Sequence, residues 1–341
     1  MILLNARFRY NTVTGVERYA HEVSKRLEQH LTPIAPPGPR NGIKGHAWEQ
    51  FALPWKAGGH LLWSPCNTGP LAVRTQVVTI HDMSALDHPE WMSRKFAAWY
   101  GFLLPRLAQR CRLILTDSLF SRGRIVERCG VPPEKVVAIP LAASDHFRPA
   151  APEAVESLCR ELSLTPGRYL LSVSSIEPRK NLTRLLQAWQ LALPRLPEDA
   201  WLVLSGKLGE TRVFADAGLS QMPARVRVTG YVPYENLPAL YSGAAFFVYI
   251  SLYEGFGLPL LEAMGCGTPV ISSDRGSLPE VIGQAGRIVD PMNPEAVADV
   301  LVAAFDPAHR AALAVGAQAH AAKFSWDYAA AQTLNALKSV M

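Results

Sequence analysis

The sequence predicts an α/β protein built of two consecutive doubly wound domains, each a parallel sheet covered by helices on both faces. The length of 341 residues is too great for one ordinary core and suits two domains of about 150 residues each. Short β-rich apolar runs alternate with helical patterns throughout, and this alternation restarts after a Pro- and Gly-containing stretch at 149–167. We therefore expect domains at 1–160 and 161–324, with a last helix at 325–341 packing back on the first domain.

In the first domain, apolar runs of strand length predict strands at 1–5, 77–80, 113–116 and 136–140. Apolar residues spaced for one helical face predict helices at 16–29, 93–110 and 119–129. Ligands of such folds bind where the strands end, so the residues that follow each strand are the candidates for function.

The second domain repeats this alternation. Strands are predicted at 169–173, 201–205, 226–229, 245–250, 269–272 and 287–289. Helices are predicted at 182–192, 237–242, 260–264, 279–282 and 294–304. With two such domains, we expect the ligand site in the crevice between them.

The composition excludes several classes of protein. A content of 49% hydrophobic and 9% aromatic residues excludes a disordered chain. Five cysteines without a C-x-x-C pair argue against a disulfide scaffold and favour a reducing cytosol. No apolar run reaches the roughly 18 residues of a membrane helix, and Arg7 and Arg9 follow the first apolar residues too closely for a signal peptide. We expect a cytoplasmic protein.

Charge is distributed unevenly along the chain. Residues 1–160 carry 20 Lys and Arg against 13 Asp and Glu, whereas residues 161–341 carry 14 against 16, so the halves have net charges of +7 and −2. The basic half either meets an anionic partner or has an ordinary soluble surface. Nucleic acid is not expected as that partner, because no Lys/Arg-rich block, zinc-finger spacing or RNP-like string is present.

The first candidate site segment is 254–262, which follows a predicted strand. Its Gly-x-Gly turn lets the backbone approach a ligand, and Pro259 suits the first position of a helix. The amides of 256–258 would then point at an anion from a helix N-terminus, and Glu254 and Glu262 would face the same ligand. The alternative is a turn that serves only the packing of the fold, with Glu254 on the surface.

The second candidate segment is 174–181, which follows another predicted strand. Arg179 and Lys180 are adjacent cations. Arg179 could bind a diphosphate through two parallel hydrogen bonds, and Lys180 could bind it as a point charge. The alternative is a solvated basic turn.

Together these segments, E-P-R-K-N at 177–181 and E-G-F-G-L-P-x-x-x-E at 254–262, resemble the retaining GT-B glycosyltransferases of family 4. Segments in the same order from about residue 2 to 330 resemble other parts of that family, namely 14–19, 79–82, 116–121, 204–207, 229–232 and 263–270. The sequence is similar to mannosyltransferase-like enzymes of O-antigen and exopolysaccharide assembly. The resemblance implies a GT-B fold, in which two Rossmann-like domains face a central cleft.

The resemblance also implies a reaction and its residues. A hexose, first choice mannose from GDP-mannose, would move to a saccharide or a polyprenyl-diphosphate-linked oligosaccharide in bacterial cell-surface polysaccharide synthesis. The implied catalytic residues are His81, Arg179, Lys180 and Glu254. The implied donor-binding residues are Gly15, Ser175, Gly206, Lys207, Tyr231, Val232, Gly255, Phe256, Gly257, Leu258 and Glu262. Many family members carry an additional Arg near Ser174, so Arg179 or an Arg of the first domain would have to complete the phosphate clamp here.

Transfer from a nucleotide sugar places negative charge on the departing diphosphate, which fixed cations and amides stabilise. The sequence has no Asp-x-Asp and no His/Asp cluster at ligand spacing, so we expect neither a metal nor a cofactor besides the donor. Retention of the anomeric configuration of the sugar is implied by the resemblance alone. We expect a front-face route in which the leaving phosphate helps deprotonate the acceptor, with His81 as a positioner or weak acid/base. The alternative is a structural histidine.

Residues 90–128 combine eight Lys and Arg with aromatic residues on a predicted helix. This pattern favours either a docking surface for anionic membrane or a core helix. Three other readings of the whole chain stay open: another GT-B-fold enzyme such as an epimerase or a phosphorylase, a glycosyltransferase using a UDP- or dTDP-sugar, and a non-catalytic sugar-nucleotide-binding protein. A dinucleotide oxidoreductase is disfavoured, because no Gly-x-Gly-x-x-Gly follows a predicted strand.

Overall fold

The computed structural model describes residues 1–39, 42–175, 177–206 and 222–341. Over these ranges it contains two sheets of six strands, and every pair of neighbouring strands runs parallel. The strands are β1 Ile2–Asn5, β2 Leu31–Ile34, β3 Leu61–Ser64, β4 Gln76–Thr79, β5 Leu113–Thr116, β6 Val136–Ala138, β7 Tyr169–Val173, β8 Trp201–Ser205, β9 Val226–Gly230, β10 Phe246–Tyr249, β11 Val270–Ser273 and β12 Gly286–Val289. The strands are short and mostly buried on both faces, as expected when helices cover a parallel sheet.

Helices connect the strands and cover the sheets. They are α1 Gly15–Arg26, α2 Gly42–Ala47, α3 Leu53–Ala57, α4 Ser84–Asp87, α5 Arg94–Arg110, α6 Leu119–Cys129, α7 Pro152–Glu161, α8 Leu182–Ala192, α9 Leu237–Gly243, α10 Leu258–Gly265, α11 Leu278–Ile282, α12 Pro294–Ala303, α13 Pro307–Ala321 and α14 Trp326–Ser339. A π-helical turn, Trp48–Ala52, joins α2 to α3. Within the described ranges, no helix combines the length and the hydropathy needed to cross a bilayer.

The first compact unit comprises Met1–Leu141 and Ser325–Met341. Its strand order is β2-β1-β3-β4-β5-β6, so the direction of strand addition reverses between β1 and β3. The last helix, α14, belongs to this unit and packs on α1, where Arg26 Nε lies 2.6 Å from Asp327 Oδ1.

The second unit comprises Ala142–Phe324. Read from the other edge, its strand order is β9-β8-β7-β10-β11-β12, the 3-2-1-4-5-6 order of a Rossmann sheet. The direction of strand addition therefore reverses between β7 and β10. A buried cluster that includes Leu186 and Trp189 of α8 and Leu301 of α12 fills one side of this sheet.

The structure differs from the sequence-based expectation in its domain boundary and in several elements that the sequence did not predict. The segment 142–160 belongs to the second unit, so the boundary lies near 141 instead of 160. The physical reason is the packing of α7 on α9, which is so close that a Cβ on Gly243 would lie 3.0 Å from Val155 Cγ1. The strands β2 and β3, the helices between them, α4 and α13 were not predicted from the sequence. Strand β2 was missed because it contains Pro33, and proline argues against a strand in a sequence pattern. The structure places β2 at the edge of the sheet, where proline is tolerated.

Candidate active site

Two loops meet at the point where the second sheet reverses direction. Residues 174–181 follow β7 and residues 250–257 follow β10, and these two strands are parallel neighbours. The backbone N–H of Leu252 donates to the carbonyl of Arg179 at 2.7 Å, which joins the loops directly. Ligands of open α/β sheets bind at this position, outside the carboxyl ends of the strands.

Asn181 fixes the first of these loops. It follows a 3-10 turn at Pro178–Lys180 and has φ 58°, in the left-handed region that asparagine tolerates better than most residues. Its buried side chain donates from Nδ2 to the carbonyls of Pro291 at 2.8 Å and Ile250 at 3.3 Å. The turn that carries Arg179 and Lys180 is therefore anchored to two neighbouring loops.

Glu254 is the centre of the site. Its carboxylate accepts from Lys180 Nζ at 2.6 Å through Oε1 and from Arg179 Nη1 at 2.7 Å through Oε2. Tyr249, at the end of β10, donates its hydroxyl to Glu254 Oε1 at 2.9 Å and accepts from Lys180 Nζ at 2.5 Å. Glu177 accepts from Arg179 Nε at 2.5 Å. Two strand-end loops thus form one charged network.

Burial and charge oppose each other in this network. Glu254 is only 6% exposed, and its burial disfavours ionisation. The charges of Lys180 and Arg179 outweigh this effect and lower the pKa of Glu254 to about 2. Burial also disfavours the charged form of Lys180 and lowers its pKa. The attraction of Glu254 acts in the opposite direction but does not outweigh burial. The carboxylate is therefore fully ionised at neutral pH.

The glycine turn is held from beneath by the loop after β11. Ser277 Oγ donates to the carbonyls of Phe256 at 2.7 Å and Glu254 at 3.0 Å. A Cβ on Gly276 would lie 2.9 Å from the backbone N and O of Glu254, so only glycine fits there. At the end of the turn Gly257 has φ 112°, and α10 begins at Leu258 with Pro259 in its first turn.

The other sequence-predicted residues of this unit lie around the same strand ends. Glu262, in α10, is buried and accepts from the hydroxyl of Tyr241 at 3.1 Å. Gly206 follows β8, and a Cβ there would lie 2.1 Å from the carbonyl oxygen of Ser174.

Tyr231 is exposed and Val232 is buried just after β9. Ser175 Oγ donates to Glu177 Oε1 at 2.5 Å, Gly255 precedes Phe256 in the turn, and Lys207 lies outside the described residues.

The predicted His81 lies in the first unit, after β4. Its Nε2 donates to the carbonyl of Pro65 at 2.9 Å, and its Nδ1 lies 2.7 Å from Asp117 Oδ2. Burial acts to lower the pKa of His81, but the carboxylate of Asp117 raises it above its ordinary value. Burial raises the pKa of Asp117 in spite of the opposing effect of His81. Both ring nitrogens of His81 thus have hydrogen-bond partners in the first unit, Asp117 and Pro65.

Gly15, the remaining predicted residue of the first unit, is the first residue of α1. The loop before it is held by Glu17, whose Oε2 accepts from the backbone N–H of Thr14 at 3.2 Å. Across the described part of the chain, no group of three His, Cys, Asp or Glu side chains is arranged to hold a metal ion.

Comparison with known sequences identifies related proteins. The family model for glycosyl transferases group 1 matches residues 160–311. O-antigen chain mannosyltransferase B of Escherichia coli is 38% identical over 276 residues, which are 79% of this chain and 71% of that protein. MMP alpha-(1->4)-mannosyltransferase of Mycolicibacterium hassiacum is 33% identical over 72% of this chain and 58% of that protein. The serotype-specific mannosyltransferase WbdA of E. coli is 34% identical over 66% of this chain, which spans only 29% of WbdA.

Comparison with solved structures supports the same assignment at the level of fold. Anabaena Alr3699/HepE, solved in complex with UDP-glucose, superposes with a TM-score of 0.76 at 18% identity over 99% of both chains. WaaG, a glycosyltransferase involved in lipopolysaccharide biosynthesis, gives 0.74 at 15% identity over 99% of both. At these identities the likeness shows the fold alone, and it confirms the predicted two-domain α/β class, GT-B. Because the chain covers 71% of a relative with which it shares 38% identity, it belongs to the glycosyl transferases group 1 family.

Proposed function

We propose that this chain is a retaining mannosyltransferase that uses GDP-mannose in the synthesis of a bacterial cell-surface polysaccharide. The observation that carries the proposal is the network of Arg179, Lys180 and Glu254 at the reversal point of the second sheet. Three related proteins named as mannosyltransferases favour mannose as the sugar. The complexes of the more distant HepE with UDP and UDP-glucose favour a UDP-sugar as the alternative donor.

The two cations suit a diphosphate leaving group. Glu254 pairs with both of them but balances only one of the two positive charges, so an entering diphosphate would share Arg179 and Lys180 with this carboxylate. The ammonium group of Lys180 has three donors, and the described residues take two of them, through Tyr249 and Glu254. The third suits a phosphate oxygen, while Glu254 would also accept from hydroxyls of the donor sugar.

Metal-free transfer and retention complete the proposed mechanism. Two fixed cations and the amides that open α10 supply the positive charge that a divalent ion would otherwise bring to the departing phosphate. The phosphate then takes the acceptor proton on the same face of the sugar. The hydrogen bonds of His81 to Asp117 and Pro65 favour the role of a positioner over that of a base.

The acceptor we propose is a saccharide or a polyprenyl-diphosphate-linked oligosaccharide, met at the cytoplasmic face of the membrane. Within the predicted contact region 90–128, α5 exposes part of Phe96 and Phe102, and Arg106 lies over the ring of Phe102 at 4.0 Å. Cations beside half-exposed aromatic rings favour contact with anionic lipid.

A transfer assay tests the function. The full chain is incubated with GDP-mannose, or with UDP-glucose in parallel, and with extracted polyprenyl-diphosphate-linked oligosaccharide. We expect acceptor-dependent release of GDP and a product whose anomeric configuration, read by NMR, equals that of the donor. Turnover of a nucleotide sugar without acceptor would instead indicate an epimerase-like enzyme, and an inverted product would overturn retention.

A further inference from the structure

The helical segment 42–57 of the first unit is apolar on two opposite faces. One face, which includes Trp48, Leu53 and Ala57, packs into a buried cluster with Leu3 and Leu62. The other face carries Ile43, Ala47, Phe51 and Trp55, which we call the exposed stripe. Ile43 is 88%, Phe51 81% and Trp55 92% exposed. Large apolar side chains are rarely presented to water in this way without a partner.

The exposed stripe is continuous. Its four residues are spaced four apart, and residues at this spacing lie on the same side of a helix. The segment runs through α2, the π-helical turn and α3 without a break. Because its central turn is π-helical and rises less per residue, the stripe extends somewhat less than the about 18 Å of twelve α-helical steps.

The exposed charged residues within the described segment 42–57 are both lysines. Lys44 and Lys56 flank the exposed stripe and are exposed. The single acidic residue of 42–57, Glu49, is fully buried on the opposite face and accepts from Asn5 Nδ2 at 2.7 Å and Thr68 Oγ1 at 3.0 Å. The segment 42–57 therefore exposes apolar and cationic groups and no carboxylate of its own, which complements an anionic lipid surface.

We propose that the exposed stripe docks this protein on an anionic membrane, with Phe51 and Trp55 at the boundary between headgroups and acyl chains and Lys44 and Lys56 at lipid phosphates. A second copy of the chain fits less well. The four side chains offer on the order of 500 Å², below the roughly 800 Å² per partner of a stable dimer. The proposal extends the proposed function by locating where the enzyme would meet a lipid-linked acceptor.

The exposed stripe is distinct from the cationic surface of 90–128. In that region Arg124 and Arg128 both pair with Asp87, and Leu103, Leu104 and Leu107 are buried. Several of its charged groups are thus paired within the unit, and several of its apolar side chains are buried in the core. Its helix α5 is nevertheless a neighbour of the stripe segment, since the rings of Trp99 and His46 lie 5.3 Å apart.

Binding to lipid vesicles tests the proposal with the full chain. We expect cosedimentation with phosphatidylglycerol/phosphatidylcholine vesicles and weaker binding to pure phosphatidylcholine. Phe51→Ser combined with Trp55→Ser should weaken binding at least about tenfold, because two aromatic anchors are lost. Lys44→Glu combined with Lys56→Glu should remove the preference for phosphatidylglycerol. The matched control is Val315→Ser, an equally exposed apolar site (77%) on α13, which should bind as the wild type does.

Three outcomes would overturn the proposal. The Phe51/Trp55 double variant could bind vesicles like the wild type. Only Arg94→Glu combined with Lys95→Glu, on α5, could abolish binding. Sedimentation without lipid could reveal a dimer that the Phe51/Trp55 variant loses, which would assign the stripe to a second copy. Because no readout uses donor or acceptor, failure here is distinguishable from failure of the proposed function.

Discussion

The surroundings of Glu254 favour a functional interpretation of the candidate site over a structural ion pair. Burying three charged side chains is costly unless each is paired and hydrogen-bonded, and replacing such networks by apolar residues is often neutral or stabilising. Here the network lies in two loops at the strand ends, where a fold needs no buried charge. Perturbed ionisable groups at such a position point to a role in binding or catalysis.

At this scale, Lys180→Met tests the leaving-group role. It keeps the length and apolar stem of the side chain but removes the charge next to Glu254. We expect kcat/KM for sugar transfer to fall by roughly 10²–10³, the usual effect of removing one group that stabilises developing charge. The matched control is Lys323→Met, an exposed lysine of the same unit, which should retain wild-type kinetics. Equal activity of both variants would contradict the role of Lys180.

The pKa of Glu254 predicts an acid-sensitive contribution to stability. Because this pKa is lowered from 4.5 to about 2, the carboxylate stabilises the native state fully above pH 4.5 and loses that contribution as the pH falls toward 2. The contribution amounts to about 3 kcal/mol. Hydrogen exchange of β10 amides should report a free energy of opening that falls over this range in the wild type and less in Glu254→Gln. Parallel curves for the two proteins would contradict the prediction.

At the scale of elements, close approach of backbone segments shapes the loops around the site. Gly206 has φ 137° and lies against the carbonyl of Ser174, so the ends of β7 and β8 touch through a residue without a side chain. Gly276 allows the same kind of approach beneath Glu254. The glycines thus set the positions of loops whose side chains belong to the candidate site.

Gly206→Ala is expected to lower stability by about 2 kcal/mol, because its Cβ would force the backbone at Ser174 to move. The loop after β7 should shift with it, so donor affinity should fall as well. Gly316→Ala is the matched control, since Gly316 lies inside α13 with no atom near its Cβ position. That variant should gain about 0.5–1 kcal/mol. Thermal melts and donor titrations check both, and an unchanged Gly206→Ala protein would contradict the account.

The sequence predicted the elements that carry the site because their signals are local. A buried strand, a Gly-x-Gly turn and a proline at a helix start are all visible in 245–265, and the structure has β10, the turn and α10 there. Tyr249 and Ser277 were missed, since Tyr249 accepts from Lys180, 69 residues earlier in the chain, and Ser277 donates to Phe256, 21 residues earlier. The π-helical turn was missed because Glu49 interrupts the apolar pattern, and its burial depends on Asn5 and Thr68.

At the scale of the whole molecule, each unit has its own reversal point, and each carries some of the candidate site residues. The second unit carries the cations and the glycine turn, and the first carries the buried pair of His81 and Asp117. The excess positive charge of residues 1–160 lies entirely in 1–141, within the unit that also bears the exposed stripe, because 142–160 are net negative. This division fits an enzyme that takes an anionic donor on one unit and a membrane-linked acceptor on the other.

We expect sugar transfer by the whole protein to proceed unchanged in excess EDTA, because Arg179, Lys180 and the amides that open α10 supply the positive charge. Initial rates of GDP release with EDTA, with added Mg²⁺ and with added Mn²⁺ check this. A rate that is lost in EDTA and restored by either ion would contradict metal independence while leaving the sugar-transfer function in place.

The most direct test of the central claim compares nucleotide affinities by calorimetry in EDTA. The nucleotide is chosen as whichever of GDP, UDP and dTDP raises the melting temperature most. For the wild type, the diphosphate should bind about 100-fold tighter than the corresponding monophosphate, since it gains charge-assisted hydrogen bonds from Arg179 and Lys180. In Lys180→Met this difference should shrink at least about tenfold. An equal difference in both proteins would contradict the claim that these cations hold the diphosphate.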